Sequence, residues 1–320
     1  MATQAMAQRV LFSFDELNPY RSLPVDSSVG GINAHLSATG QGFSIQLYGS
    51  VGLAPRGMSG NYIFPNSVYA ADLLISYSVP LRYVSIMYAP EEYGCDTSAR
   101  MRITAYDGNT LVGTATTTTY AGTWPTGVLV FSSPTPFTRV VVHYDAPPPT
   151  GGDWGPIFIA DNMVVSPNQA DTIVPSSYSL IQGDEYNGGI DAFKYSDDVK
   201  EQVFNDPASL QAEVEVVGVT TFKTPASITI NAETCAARYG LAEVWRAYDY
   251  SLGQWRTVFG QVAEVTDLQN SVTWTTNAAH FVNGAGQTKM RFKWSPINDE
   301  APTQDGWLHE IDFMEWQLDG

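Results

Sequence analysis

The feature that most constrains this chain is a series of short apolar or alternating runs, each closed by Gly, Pro, Asn or Asp. In the first half they fall at residues 9–14, 73–77, 83–88, 101–106, 128–131 and 139–144. Alternation of period two places successive side chains on opposite faces of a pleated strand. Several such strands, separated by turn residues, predict a sandwich or barrel. No stretch keeps an apolar 3.6-residue period for three turns, so helices are not the building unit. Asp107-Gly108-Asn109, directly after Tyr106, supplies the positive φ of a hairpin turn. In the second half, Lys289 to Trp294 alternates so that Met290, Phe292 and Trp294 face a core and Lys289, Arg291 and Lys293 face water. Leu241 to Tyr250 and Gln254 to Phe259 read as a hairpin through Ser251-Leu252-Gly253. A last strand, Trp307 to Trp316, puts Glu310 and Asp312 on one face. As a neighbour of the 289–294 strand it would set those acids against the row of cations, each exposed pair contributing about 0.2 to 1 kcal/mol. Asp197-Asp198 reads either as the cap of a short helix or as a turn. The fold class expected is all-β, with two jelly-roll-like β-sandwiches in tandem.

The chain has 320 residues, and single cores stop growing near about 250 to 300, which argues for two domains. The charge divides them. Residues 1–167 hold 7 Arg, no Lys and 11 acids, whereas residues 168–320 hold 9 basic and 22 acidic residues. A polar stretch bracketed by Pro167 and Pro175 separates these halves. The expected organisation is a tail at 1–8, a first sandwich at 9–167, a linker at 168–175 and a second sandwich at 176–320. Ala5-Met6-Ala7 reads either as the small-x-small end of a signal peptide or as a plain tail. With the Thr/Ser/Tyr/Gly-heavy β composition, it leads to an expectation of a secreted or cell-surface protein. Cys95 and Cys235 lie in different halves, so a bridge between them would join the domains. Two unpaired thiols are the simpler expectation in domains that need no staple.

A net charge of −17 would repel a phosphate backbone, which argues against nucleic acid as partner. The 44% hydrophobic content with only 15% charged residues gives the chain enough apolar surface for a core. No run approaches the roughly 18 apolar residues of a helical membrane span, so no insertion is expected. Gly-Lys, G-x-S-x-G and C-x-x-C are all absent, which removes a P-loop, a nucleophile elbow and a zinc ribbon. Gly284-Ala285-Gly286 lacks the third glycine of a dinucleotide fingerprint and reads as a loop. His35, His143, His280 and His309 form no H-x-x-x-H or H-x-H pair. Any two of the 33 acids can be imagined as a glycosidase pair, and sequence supplies no distance with which to choose. No N-x-Ser/Thr sequon occurs.

Two constellations remain. Asp15-Glu16 follows the first strand and Asp161-Asn162 lies within the last strand of the first half. First and last strands commonly pair in a jelly roll, which would bring Asp15, Glu16, Asp161 and Asn162 together as oxygen ligands for a structural Ca²⁺. The alternative is that these residues only hydrogen-bond loop amides. The second constellation is aromatic: Trp124 and Trp154, with Tyr93, Tyr120 and Asp153, lie in expected rim loops, where indoles stack on sugar rings and acids take hydroxyls. Each indole also has a plain role as a cap on the sandwich. The six Trp of the second half sit mostly on strand patterns and read as core.

Phe14-Asp15-Glu16-Leu17, Ile103-Thr104-Ala105-Tyr106-Asp107-Gly108-Asn109 and Phe158-Ile159-Ala160-Asp161-Asn162-Met163 resemble motifs of galactose-binding-like jelly rolls of exported bacterial proteins. Ala160 and Met163 depart from the Phe-Gly-Ile-Asp-Asn-Leu form of the closing strand. The resemblance covers residues 9–165 and implies a β-sandwich, often with a structural calcium and frequently carbohydrate-binding. Residues 176–318 are similar to an uncharacterised C-terminal β-sandwich module of secreted bacterial proteins. That likeness is carried by Ser179-Leu180-Ile181-Gln182-Gly183, Gly188-Gly189, Ser196-Asp197-Asp198, Ala242-Glu243-Val244-Trp245, Gly253-Gln254-Trp255 and Ile311-Asp312-Phe313-Met314-Glu315-Trp316. The module's usual Arg-Pro-Gly is missing, and no function carries over from it. The functional expectation is a non-catalytic extracellular protein binding carbohydrate or a cell-surface polymer through loops of its first domain. The alternatives are a structural, self-associating surface or filament protein and a polysaccharide-acting enzyme.

Overall fold

The alternating runs become strands in a computed structural model that describes residues 9–50, 52, 55, 57–90, 99–118, 126–146, 156–194, 196, 199–297 and 306–320. The chain divides into two compact units, Met1–Gln169 and Ala170–Gly320. Both are β-sandwiches.

The first unit contains β1 (Val10–Phe12), β2 (Arg21–Ser22), β3 (Val25–Val29), β4 (Ile32–Ala38), β5 (Phe43–Leu47), β6 (Asn61–Pro65), β7 (Leu73–Pro90), β8 (Arg100–Asp107), β9 (Thr110–Thr118), β10 (Gly127–Ala146) and β11 (Phe158–Ser166). Two long strands, β7 and β10, serve both layers. Leu73–Tyr77 of β7 pairs with β4, whereas Tyr83–Pro90 pairs with β11. β10 likewise pairs with β8 only from Arg139 onward. Its register against β7 shifts between Ser132 and Arg139. Pro134 and Pro136 fall in that interval and Pro80 lies beside it on β7. None of the three has an amide hydrogen to give, so the ladder breaks and the strands turn from one layer into the other. Inward-facing Phe12, Leu36, Ile75, Ile86, Phe137, Val142 and Phe158 fill the space between the layers. The first and last strands pair antiparallel, with Val10 opposite Val165 and Phe12 opposite Met163. The Asp107-Gly108-Asn109 turn closes the β8/β9 hairpin, with Gly108 at φ 56°.

The second unit contains β12 (Ala170–Ile173), β13 (Ser177–Gln182), β14 (Asp184–Asn187), β15 (Glu201–Phe204), β16 (Ala212–Val219), β17 (Ser227–Ala236), β18 (Leu241–Asp249), β19 (Gln254–Val262), β20 (Leu268–Trp274), β21 (Gln287–Pro296) and β22 (Leu308–Asp319). One sheet runs β14-β15-β22-β17-β20 with β12 added to β22, and the other runs β13-β16-β21-β18-β19. The only helices among the described residues are single 3₁₀ turns at Ile190–Phe193 and Ala278–Phe281. Met290, Phe292 and Trp294 are fully buried, as their alternation requires, and meet Trp245, Met314 and Trp316 in the core. Gly218 makes room for this packing, because a Cβ there would stand 2.7 Å from the Trp316 ring.

Three expectations are corrected. The cation row of β21 does not face Glu310 and Asp312, since β21 and β22 belong to different sheets. Lys289 and Arg291 instead pair with Glu215 and Glu213 of β16, the true neighbour. Asp312 also leaves the face of Glu310, because a bulge against β17 adds a residue there and the alternation skips. The 168–175 stretch is not a free linker, since residues 170–173 pair with 316–319 of β22. Pro167 and Pro175 bracket this strand without interrupting it.

His309 is the unexpected member of the second core. Its ring is fully buried, stacked 4.5 Å from Trp294 at 19° and met edge-on by Trp307 at 4.2 Å. Neither ring nitrogen has a hydrogen-bond partner among the described residues. Burial holds its pKa well below 6.5 because the imidazolium cannot be solvated there. The unfolded chain binds that proton and the folded chain does not, so the contribution to stability is complete above about pH 6.5 and falls as the pH drops below it. Urea unfolding between pH 7.5 and 5 is expected to show this loss, at up to about 1.4 kcal/mol per pH unit. In His309→Phe, which keeps the stack, the slope is expected to be shallower; an unchanged slope would remove His309 from the account.

Candidate functional site

The acidic constellation of the first unit is assembled by backbone turns. Phe14 takes φ 62° after β1 and sends Asp15 back across the sheet, where Asp15 Oδ1 accepts the Asn61 N–H at 2.6 Å. Gly60 permits this approach, because a Cβ there would lie 1.9 Å from the same oxygen. Asp161 sits at the irregularity of β11, followed by Asn162 at φ 47°. Its carboxylate is fully buried and accepts N–H bonds from Ser59 at 3.2 Å and Asn162 at 2.7 Å. Burial pushes the Asp161 pKa up to about 7; the two N–H bonds oppose that rise, and the charges of Asp15 and Glu16 add to it. The Asn162 amide reaches Gly57 O at 3.3 Å. The Glu16 carboxylate is engaged elsewhere, by Ser27 Oγ at 2.6 Å and Ser13 Oγ at 3.4 Å.

The residues have features that suit a hard cation. Asn61 is buried, its Nδ2 donates to Leu17 O at 2.9 Å, and its Oδ1 is a buried acceptor with no donor among the described residues. Asp15 is bonded to the Asn61 backbone N–H, and an uncharged oxygen beside carboxylates is a donor set that Ca²⁺ takes. Asp15, Glu16 and Asp161 do not bring three potential ligand atoms within 4.8 Å of one another; the group among the described residues that does so is the Cys235 sulfur with carboxylate oxygens of Asp267 and Glu310.

That second group already contains its own cation. Lys200 Nζ lies 2.7 Å from Asp267 and 3.0 Å from Glu310, and the Cys235 thiol donates to Glu310 at 3.0 Å. Burial, then the neighbouring carboxylates, push the thiol pKa far up, so Cys235 stays a protonated donor. It is a free thiol. Cys95 lies outside the described residues, as do Asp197 and Asp198.

Trp124, Trp154, Tyr93, Tyr120 and Asp153 also lie outside the described residues. The described aromatics lead to the second unit instead. Of its six Trp, Trp245, Trp294, Trp307 and Trp316 are buried, while Trp255 and Trp274 are half-buried, Trp274 packing against the core from a sheet edge. Trp274 ends β20, the edge of one sheet, and faces β19, the edge of the other. Between these edges lies a cleft of about 270 Å³ lined by Arg256, Thr257, Val258, Val272, Thr273, Trp274, Thr276 and Phe281. Trp274 and Phe281 meet edge to face at 5.0 Å and form its apolar part. The Trp274 Nε1–H is a buried donor with no acceptor among the described residues. Thr273 shares a hydrogen bond with Thr229 at 2.7 Å, while the Thr257 and Thr276 hydroxyls have no partner among the described residues. Arg256 is half exposed and reaches the buried Asp249 only at 3.5 Å. Apolar ring surface beside hydroxyls and a guanidinium is the composition of a pocket for a small polyhydroxylated ligand. The cleft was not legible in the sequence because its two walls, residues 256–258 and 272–281, lie on edge strands of different sheets, an assignment that periodicity does not carry. The one available signal was Trp274, which ends its run beside Thr273, Thr275 and Thr276.

No family model matches the chain, and no curated protein matches it. Among solved structures it is similar to the CBM22-1–CBM22-2 tandem of Paenibacillus barcinonensis Xyn10C, at 10% identity and TM-score 0.32, over 99% of this chain and 100% of that one. A family 29 carbohydrate-binding module from Piromyces equi matches at 10% identity and TM-score 0.29, over 47% of this chain and 91% of that one. The K2 cleaved adhesin domain of Lys-gingipain matches at 12% identity and TM-score 0.33, over 50% and 99%.

Proposed function

We propose that this is a non-catalytic carbohydrate-binding protein, acting at the cell surface or outside the cell. The cleft between β19 and β20 carries the reading. The half-buried Trp274 ring, backed by the buried Phe281, offers a surface for the C–H face of a pyranose, while Thr257, Thr276 and Arg256 meet the ring's hydroxyls and oxygens. The volume of about 270 Å³ suits one or two sugar rings, so binding is to a short segment or chain end. Trp124 and Trp154 of the first half are a separate candidate contact for sugar. Calorimetry against a panel of neutral oligosaccharides is expected to find a ligand whose affinity falls at least tenfold, about 1.4 kcal/mol, in Trp274→Ala, with a smaller loss in Thr276→Val. Binding lost on Trp154→Ala and kept on Trp274→Ala would move the site to the first unit. The absence of any saccharide ligand would end the reading.

The acidic end of the first unit we propose as a structural calcium site, with Asp15 and Asp161 supplying charge, Asn61 Oδ1 a neutral oxygen, and Glu16 and Asn162 outer support. Burying Asp161 against two like charges favours either a proton or a cation, and Ca²⁺ satisfies the second option. Adding Ca²⁺ at pH 8 is expected to raise the melting temperature through binding to the folded state alone. The near-isosteric Asp161→Asn is expected to lose that rise while still folding. A parent protein that gives neither heat nor a melting shift with Ca²⁺ would leave these residues as amide acceptors only.

A further inference from the structure

The outer face of the β13-β16-β21-β18-β19 sheet concentrates positive charge in a strongly acidic unit. Alternation directs Arg246 of β18 and Lys289, Arg291 and Lys293 of β21 to this face, four of the nine cations in residues 168–320. Only Glu213 and Glu215 oppose them from the adjoining strand. Glu215 takes Lys289 at 3.0 Å and Arg291 at 2.8 Å, and Glu213 takes Arg291 at 3.3 Å. Arg246 and Lys293 form no ion pair among the described residues, Lys293 standing opposite Glu213 in the β16/β21 ladder while that carboxylate takes Arg291. Arg246 also stands directly opposite Arg291 in the β18/β21 ladder. Like charges in that position destabilise a sheet, and nothing described in the chain compensates Arg246. Arg291 is held in place from beneath, over the Trp255 ring at 4.2 Å, with Tyr248 edge-on to that indole at 5.1 Å. A fixed guanidinium beside an unpaired one, with an unpaired ammonium about 6.8 Å along the strand, forms a cradle for an anion.

We propose that this face binds carboxylate groups of an acidic polysaccharide, a chain containing uronic acid residues, through Arg246, Arg291 and Lys293. The site is separate from the β19/β20 cleft and does not depend on that reading. Planar guanidinium forks match carboxylates bidentately. Tyr248 and Trp255 give the same face apolar surface for the sugar rings that carry those groups. At 0.15 M salt charges beyond about 8 Å are screened, so the local excess of cations outweighs the acidic remainder of the unit. Nucleic acid fits less well, because phosphate-driven binders make about six to ten phosphate contacts and this face has two unpaired cations.

Calorimetric titration of the full chain with trigalacturonate, its methyl ester and a single-stranded oligonucleotide, at 50 and 150 mM NaCl, tests the proposal. Trigalacturonate is expected to bind, more weakly at the higher salt, and the neutral ester to bind at least tenfold more weakly. Arg246→Gln is expected to lower trigalacturonate affinity at least tenfold while leaving the melting temperature unchanged or raised, since it removes a like-charge pair. A structural role for Arg246 would lower both. Lys293→Gln gives an independent variant with the same expected loss, and Trp274→Ala is expected to leave trigalacturonate binding intact. The proposal is overturned if the parent gives no heat with trigalacturonate, if Arg246→Gln and Lys293→Gln bind it as the parent does, or if the oligonucleotide binds more tightly. Arg246-dependent dimerisation without trigalacturonate binding would also overturn it, by assigning the face to a second copy of this acidic chain.

Discussion

The pleat of the strands is the constraint on which everything else rests. Because neighbouring side chains point to opposite faces, each apolar residue facing inward commits the next to face outward. In the second unit, Met290, Phe292 and Trp294 fix Lys289, Arg291 and Lys293 on the opposite face in one step. Moving the register by one residue would put three cations in the core, a cost no surface pairing offsets. In the first unit the same rule would give one large open sheet. The interruptions at Pro134 and Pro136 fold that sheet onto itself, so that β7 and β10 belong to both layers.

Polar groups that do enter the interior are treated in different ways. Lys200 is held by two carboxylates and a thiol, so its charge is paired where it is partly desolvated. Glu243, fully buried, is satisfied by Thr234, the Trp245 indole and Gln261. Asp161 has only amide donors around it and two acids near it, which leaves charge uncompensated. His309 has no partner and stays neutral by burial. The fully satisfied groups stabilise the fold. The incompletely satisfied ones respond to solution conditions, because a proton or a cation can supply what the chain does not.

Much of this architecture was legible in the residues. The Asp107-Gly108 turn, the Ser251-Leu252-Gly253 turn and the alternation of 289–294 each act locally, and each occurs where expected. The pairing of first and last strands was also legible, as a rule of jelly-roll topology, and it brought Asp15 near Asp161. Pairing between strands distant in sequence was not. Assigning Glu310 and Asp312 as partners of the β21 cations required knowing which sheet β22 joins, and periodicity does not carry that information. Trp255 and Trp274 were read as core for a related reason. A tryptophan on a strand is equally consistent with an inner face, an outer face or an exposed edge until its neighbours are known.

By itself, then, the sequence determined the strand-built character of both halves, their separation by charge, and the two faces of each well-patterned strand. Those properties follow from local backbone preference and period-two burial. Tertiary structure alone decided which strands adjoin, and with that which charges pair, which indole borders a cleft and where Arg246 meets Arg291. Strand order depends on the summed packing of faces across residues far apart in the chain, so no short segment contains it.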